Sequence, residues 1–488
     1  MKIGAEVSKR FATNILGTLA AFLGTIFFTR ELGFDGIGVY GTFLSFQMIA
    51  ANVSSFGLYP VVVKRVSEGS DEARHFASGA AILFGGVAAV TVVFFLIRDY
   101  VNAILHVDAA MLVPLAVLTW GLFRLSGSFL EGKQQVALVG AIENSRYALI
   151  VPIQAALVIW GFGVRGLIWG LIAGQFLTFL ISYVGFARVV PARPSRALFS
   201  EFLDYSKYAY VQSVSAQAFK HADYIIINSF VGPAATGVYK NVFTITEASM
   251  LFSSALAQVA LPQISANTAD GNDEETTKIL SAILTYAGLF AIPVLGGGAI
   301  VGNALLLTLY GASAGTTTLP ILGVVGLANA LIPVLALANL MNGYREGLEK
   351  FFLGTDRPRV YAVSGLLLVV TYGLTAVPLT MQYDAWGVAW ATVLAFCVSV
   401  GTLLYLLDQS VSLAAVADVG RQVVAMLVMV GVVFSLKVQL GGADGALRLA
   451  VLLGVGGVTY FAVLLVLSER IRLDVRGIAQ DLRNQLLS

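Results

Sequence analysis

Charge is what this 488-residue chain has least of. Only 12% of its residues are Asp, Glu, Lys or Arg, about half the usual share for a soluble protein. So few charges cannot cover a water-exposed surface of this size, which excludes a soluble multidomain enzyme and a disordered chain. There is one cysteine, Cys397, so no disulfide framework, zinc site or iron–sulfur site can be assembled. The three histidines, His75, His106 and His221, have no metal-ligand spacing. A net charge of +2 gives no footing for a nucleic-acid partner. Glycine clusters such as Gly296-Gly297-Gly298 lack the Lys-Ser/Thr and strand context of a phosphate-cradling loop, which disfavours an ATP-driven pump. No long polar loop carries catalytic acids, so the chain does not read as an enzyme.

What is abundant is apolar sequence, at 58%. A helix needs about 20 apolar residues to cross a bilayer. Fourteen such runs lie between residues 11 and 467, among them 145–163, 207–230, 236–261 and 317–342. The chain is therefore an all-α integral membrane protein of about fourteen transmembrane helices. Met1 to Arg10 is charged and leads into an apolar run with no small-residue cleavage site, which reads as an uncleaved first span. With the amino end cytoplasmic, 22 of the 30 Lys and Arg residues fall on inner segments and 5 on outer ones. The remaining 3, Arg124, Lys220 and Lys240, lie inside spans. That bias predicts a multi-pass protein of the cell membrane with both termini cytoplasmic. In the tail, Ile471, Val475, Ile478 and Leu482 form a helical stripe beside arginines, expected to rest on the inner membrane surface.

The chain repeats itself. Leu32-Gly33-Phe34-Asp35-Gly36-Ile37-Gly38-Val39-Tyr40 and Val231-Gly232-Pro233-Ala234-Ala235-Thr236-Gly237-Val238-Tyr239 share Gly, Gly-Val-Tyr and spacing at an offset of 199. Ser54-Ser55 and Ser253-Ser254 keep that offset, and Gly166-Leu167-Ile168-Trp169 echoes Gly387-Val388-Ala389-Trp390 at 221. Two pseudo-symmetric six-helix lobes follow: 1–187 with spans 1–6, and 207–407 with spans 7–12, joined by a cytoplasmic linker at 188–206. Spans 13 and 14 (408–468) and the amphipathic tail (469–488) are additions. Six spans per copy place both the same way up, related by an axis along the membrane normal.

Several motifs then occur in a fixed order. They are the Gly-x-x-x-x-Gly-Val-Tyr turns after spans 1 and 7, Arg30 before the first, and Ala222-Asp223-Tyr224 in span 7. Phe56-Gly57-Leu58 with Lys64-Arg65 follows span 2, and Arg357-Pro358-Arg359 precedes span 11. With these the chain resembles the polysaccharide-exporter branch of the multidrug/oligosaccharidyl-lipid/polysaccharide exporter superfamily, over nearly its whole length. The resemblance implies a flippase that moves a polyprenyl or dolichyl (pyro)phosphate-linked sugar or oligosaccharide across the cytoplasmic membrane by alternating access. It implies a lipid-linked glycan and membrane lipids as partners, a monomer, no cofactor, and H+ or Na+ as candidate coupling ions. The alternative of the same fold is a cation-coupled multidrug or metabolite exporter.

A charge near the bilayer centre costs at least about 2.5–3.5 kcal/mol, so it faces a cavity or a partner. Lys220, Lys240 and Arg124 meet that description, and Arg146 and Arg30 stand at span ends. They are the candidate contacts for a phosphate. Asp223 and Glu247 are the ion-coupling candidates. Lys220 and Glu247 are about equally deep on either side of the Pro233 turn and could pair across it, and Arg124 could pair with Glu131. At offset 199 the first copy has Ala21, Phe22, Gly24, Gly41 and Met48, all uncharged, so this charge is not a requirement of the repeat. Gln47, Asn52, Gln217 and Asn228 are candidate polar lining for sugar hydroxyls. Candidate cations outnumber carboxylates, which ranks a phosphate-linked cargo above a cationic drug.

Overall fold

The structure is a computed structural model that describes residues 2–69, 71–190, 192–194, 217, 219–319, 323–407, 413–474 and 476. Most of the linker expected at 188–206 and most of the expected tail helix, with Val475, Ile478 and Leu482, lie outside the described residues. The helices follow the hydropathy runs wherever residues are described. Eight are long and apolar enough to cross a membrane among the described residues, or ten with two bent pairs. Apolar side chains such as Leu96, Leu447 and Val466 are three-quarters exposed or more, as a surface meant for lipid requires.

Several helices are too long for one crossing. Helix α1 (Lys2–Ser55, 54 residues) would be about 80 Å long if straight, against roughly 30 Å of hydrocarbon. It breaks at Gly33, whose φ of 70° suits only a residue without a Cβ. Helix α2 (Leu58–Ser67) continues the second crossing at a 51° bend. Helices α3 (Glu72–Leu96), α4 (Arg98–Leu105) and α5 (Leu112–Gly132) follow. Helix α6 (Val136–Leu157) turns back into α7 (Gly163–Leu180) through Gly161 and Gly163, both at positive φ.

After helical residues 219–230 come α8 (Pro233–Glu247), α9 (Leu251–Ala269), α10 (Asp273–Ala287) and α11 (Ala291–Tyr310). A short antiparallel pair follows, β1 (Thr316–Leu319) with β2 (Gly323–Gly326). Then come α12 (Leu327–Gly354) and α13 (Pro358–Tyr405). The second of these turns back at Tyr383–Asp384, 221 residues after the Gly161–Gly163 turn, allowing one residue of slip. Helices α14 (Leu413–Gln439) and α15 (Ala446–Leu467) complete the described chain.

Several expected edges move. The fifth span begins at Val136, not 145, because Glu143-Asn144-Ser145-Arg146 is helical despite its polarity. The tenth begins at Leu327, not 317: a β-branched Thr316-Thr317-Thr318 run and Gly323 at φ 69° favour a hairpin there. The earlier start of the fifth span brings Glu143 into a helix, and the end of the tenth at Gly354, not 342, brings in Arg345 and Glu349.

The chain packs as two compact units, Met1–Lys240 and Asn241–Ser488. In the first, Phe43, Leu83, Leu125 and Ile168 form a fully buried core. Inside this unit the repeat is visible as a reciprocal contact. A Cβ at Gly38 would collide with the Pro233 carbonyl, and a Cβ at Gly237 with the Phe34 carbonyl. Phe34 and Pro233 are themselves equivalents at offset 199, as are Gly38 and Gly237. In the second unit, Met429, Leu452 and Tyr460 anchor one core and Ile264, Leu348 and Phe352 another. Ile471 is buried in that unit, and Tyr286 donates to Asp474, so the first described turn of the tail packs on helices.

Candidate functional site

Helix α6 carries Glu143, Arg146, Tyr147, Ile150 and Gln154 at i, i+3, i+4, i+7 and i+11, which is one face. Helix α5 carries Trp120, Phe123 and Arg124 at i, i+3 and i+4. The two stripes meet. The Arg146 guanidinium lies 4.7 Å from the ring centres of both Trp120 and Tyr147 and 6.0 Å from Phe123. It donates to the Tyr147 hydroxyl at 3.0 Å, while its Nε is buried without a partner. No carboxylate lies within ion-pair distance of Arg146 among the described residues. Aromatic faces hold the cation in place without cancelling its charge.

Arg124 is different. It pairs with Glu143 and stands 5.7 Å over Tyr59, so its charge is compensated within the unit. The partner is Glu143 across to α6, not Glu131 on its own helix. Arg345, 221 residues later on α12, repeats the theme: it pairs with the buried Glu349, bonds Asn342 and lies 5.6 Å over Phe396. Sequence reading placed Arg345 beyond the tenth span and missed Glu143 and Glu349, because both run edges were set too far toward the apolar residues.

The second copy's basic residues lie on the helical stretch 219–230, with Lys220 and His221, and on α8, with Lys240. His221 lies within electrostatic reach of both Lys220 and Lys240. Lys240 Nζ sits 5.5 Å over the Tyr40 ring, and its stem passes over Gly41, where a Cβ would come within 2.8 Å of Lys240 Cδ. Tyr40 is fixed in turn: Gln154 Nε2 donates to its hydroxyl and to Leu167 O, both at 2.8 Å. Arg146 and Tyr147 lie within electrostatic reach of Tyr40, so the two cation groups are neighbours. Asp223 is buried and accepts a hydrogen bond from Tyr239, the repeat equivalent of Tyr40. Trp120, Tyr147 and Gln154 were absent from the sequence reading and Tyr40 entered it only as part of the repeated turn; the i, i+4, i+11 spacing on α6 was the available signal.

The other expected residues are dispersed. Gln47 is fully buried and donates to Ala116 O at 3.0 Å and Gln175 at 3.1 Å, with Thr119 closing the network at 2.9 Å. Asn228 is buried and donates to Ile104 O at 2.7 Å. Both amides therefore join helices. Asn52 bonds Met48 O on its own helix, Gln217 is half-buried, and Arg30 is exposed. Lys220 is exposed, and so is Glu247, which belongs to the second unit.

A family described as "polysaccharide biosynthesis protein" matches residues 27–314. The chain belongs to that family. Its relatives include a probable low-salt glycan biosynthesis flippase, Agl15, of Haloferax volcanii, 26% identical over 90% of this chain and 91% of that protein. They also include the probable flippase AglR of the same organism, 25% identical over 98% and 99%. In structure the chain is similar to the lipid II flippase MurJ in an inward closed conformation, at TM-score 0.78 and 12% identity over 94% of this chain and 98% of that one. It is also similar to an inward-facing multidrug resistance MATE transporter, at TM-score 0.62 and 12% identity over 81% and 96%. The chain is thus a multi-pass integral membrane protein with the fold of these transporters.

Proposed function

We propose that this protein is a flippase for a polyprenyl or dolichyl (pyro)phosphate-linked sugar or oligosaccharide, working by alternating access in the cytoplasmic membrane. The observation that carries the reading is the uncompensated Arg146 in its aromatic cage, beside the Lys220, His221 and Lys240 group. A phosphate cannot enter hydrocarbon without compensation, and a cation already held in place meets it at little ordering cost. Arg can bind phosphate with two parallel N–H bonds. Lys220 and Lys240 have no cationic repeat counterpart, their equivalents being Ala21 and Gly41, and neither has Arg146, whose equivalent at offset 221 is Leu367. Arg124 and Arg345 share the repeat and carry their own carboxylates, which suits a structural role. The Agl15 and AglR names support the same reading.

Asp223 is the better of the two coupling carboxylates, because it is buried beside the cation group. Protonation or Na+ binding there would shift the balance between conformations. Both termini face the cytoplasm, and the chain acts as a monomer with lobes at 1–187 and 207–407. Reconstitution into liposomes with a fluorescent polyprenyl-phosphate-linked sugar tests the function. The expected result is protein-dependent movement of label between leaflets, lowered at least tenfold by Arg146→Ala with Lys240→Ala. Movement unchanged in that double variant sinks the phosphate site, and no movement with the natural chain sinks the function.

A further inference from the structure

The reciprocal glycine contact closes one seam between the two repeat copies, backbone against backbone. Phe34, Val39, Val238 and Tyr239 around it are all buried. One turn along, Thr42 is fully buried, donating to Gly38 O at 2.9 Å and reaching Tyr224 O at 3.4 Å. Lys240, on the second copy, crosses this seam to stand over Tyr40 of the first. Gly41 makes room for its stem, Gln154 holds the Tyr40 ring, and Gly170 packs on Gln154 so tightly that a Cβ there would meet its backbone. Three helices thus converge to seat one ammonium group. His221 is its neighbour and lies within electrostatic reach of Lys220 as well.

We infer that Lys240 on Tyr40 is a latch across the seam, and that an anionic headgroup releases it by drawing the ammonium off the ring. A charge-assisted bond to phosphate is stronger than a cation–π contact, so a phosphate competes with the ring for the ammonium. Tyr40, Gly41 and Gln154 are then positioning residues. The release half rests on the phosphate-linked cargo proposed above; the latch half does not.

The test uses the full chain in nanodiscs, with Cys397→Ser and Thr42→Cys, so that a maleimide reports on the seam from either side of the membrane. Thiol 42 is expected to be protected. In Lys240→Met and in Tyr40→Leu its labelling rate rises about fivefold or more, and in Lys240→Arg, which keeps a cation over the ring, it stays low. Farnesyl diphosphate added to the Lys240 chain produces the same rise. Unchanged melting temperature and monodisperse elution of either Lys240→Met or Tyr40→Leu suffice to show an intact fold. Protection that persists in both variants overturns the latch. Labelling that rises in the variants but not with farnesyl diphosphate overturns the release. Translocation of the lipid-linked sugar is read separately in liposomes, so either failure is distinguishable from failure of the proposed function.

Discussion

Arg345 stands 221 residues after Arg124, on the fourth span of its copy as Arg124 is of the other, and each guanidinium meets a carboxylate and an aromatic ring. The arginine recurs while its partner moves: Glu143 lies across on α6 and Glu349 one turn along the same helix. Their equivalents at offset 221 are Ser364 and Ser128, so each copy compensates this charge with a carboxylate of its own. Arg124→Met and Glu143→Gln are each expected to lower stability, and the double variant by less than their sum. The pair is partly exposed, which sets the coupling at roughly 0.5–1.5 kcal/mol. Melting temperatures of the four chains give it; additive effects would mean the pair is incidental.

Arg146 needs its planar group as well as its charge. Arg146→Lys keeps the cation and loses the stacking on Trp120 and Tyr147. The expected outcome is at least tenfold weaker binding of farnesyl diphosphate with a melting temperature within about 1 °C, a shift corresponding to roughly 1 kcal/mol for a chain of this length. Titration calorimetry in nanodiscs is the measurement, and equal affinity would return Arg146 to a packing role.

Gln47 makes the opposite test. Gln47→Leu removes bonds to Ala116 O and Gln175 and strands the Thr119–Gln175 pair in a dry contact. That costs about 1–3 kcal/mol. Headgroup binding by the folded fraction is expected to be unchanged. A tenfold loss of affinity instead would put Gln47 on the binding surface.

Asp223→Asn still offers an oxygen to the Tyr239 hydroxyl, whereas Asp223→Leu does not. The fold should survive the first change and lose about 1–3 kcal/mol with the second. Transport by Asp223→Asn is expected to lose its response to an imposed proton or sodium gradient. A retained response removes Asp223 as the coupling group.

Gly38→Ala and Gly237→Ala each drive a methyl into a backbone carbonyl that cannot swing aside. Each is expected to speed labelling of a thiol at position 42, and by similar amounts, because the contact is reciprocal. An effect from only one of them would show that the two sides are not equivalent.

Much of this architecture was legible from residue order. Low charge and long apolar runs specify membrane helices. The Gly-Val-Tyr echo at offset 199 anticipated the Gly38–Gly237 contact, since a repeated turn packs the same way in both copies. The uncharged equivalents Ala21 and Gly41 also marked the second-copy cations as special. What escaped was wherever a polar group sits on an otherwise apolar helix. Glu143 and Arg345 ended a hydropathy window, so both were read as loop, although helix geometry tolerates them once a partner is supplied across the bundle. The hairpin at 316–326 escaped because a short apolar run does not declare its period. Gln47 and Asn228 were visible as buried amides, but which neighbour would take their protons is decided by three-dimensional packing alone.

Gly41 and Lys240 occupy matching places and touch each other. In a homodimer of a single ancestral half, the two sites would be identical: two lysines would crowd one space with like charge, or two glycines would leave it neutral. Covalent fusion of the halves frees one site to change without the other. A lysine facing a glycine at matched positions is open to two copies whose sequences differ and closed to two identical ones.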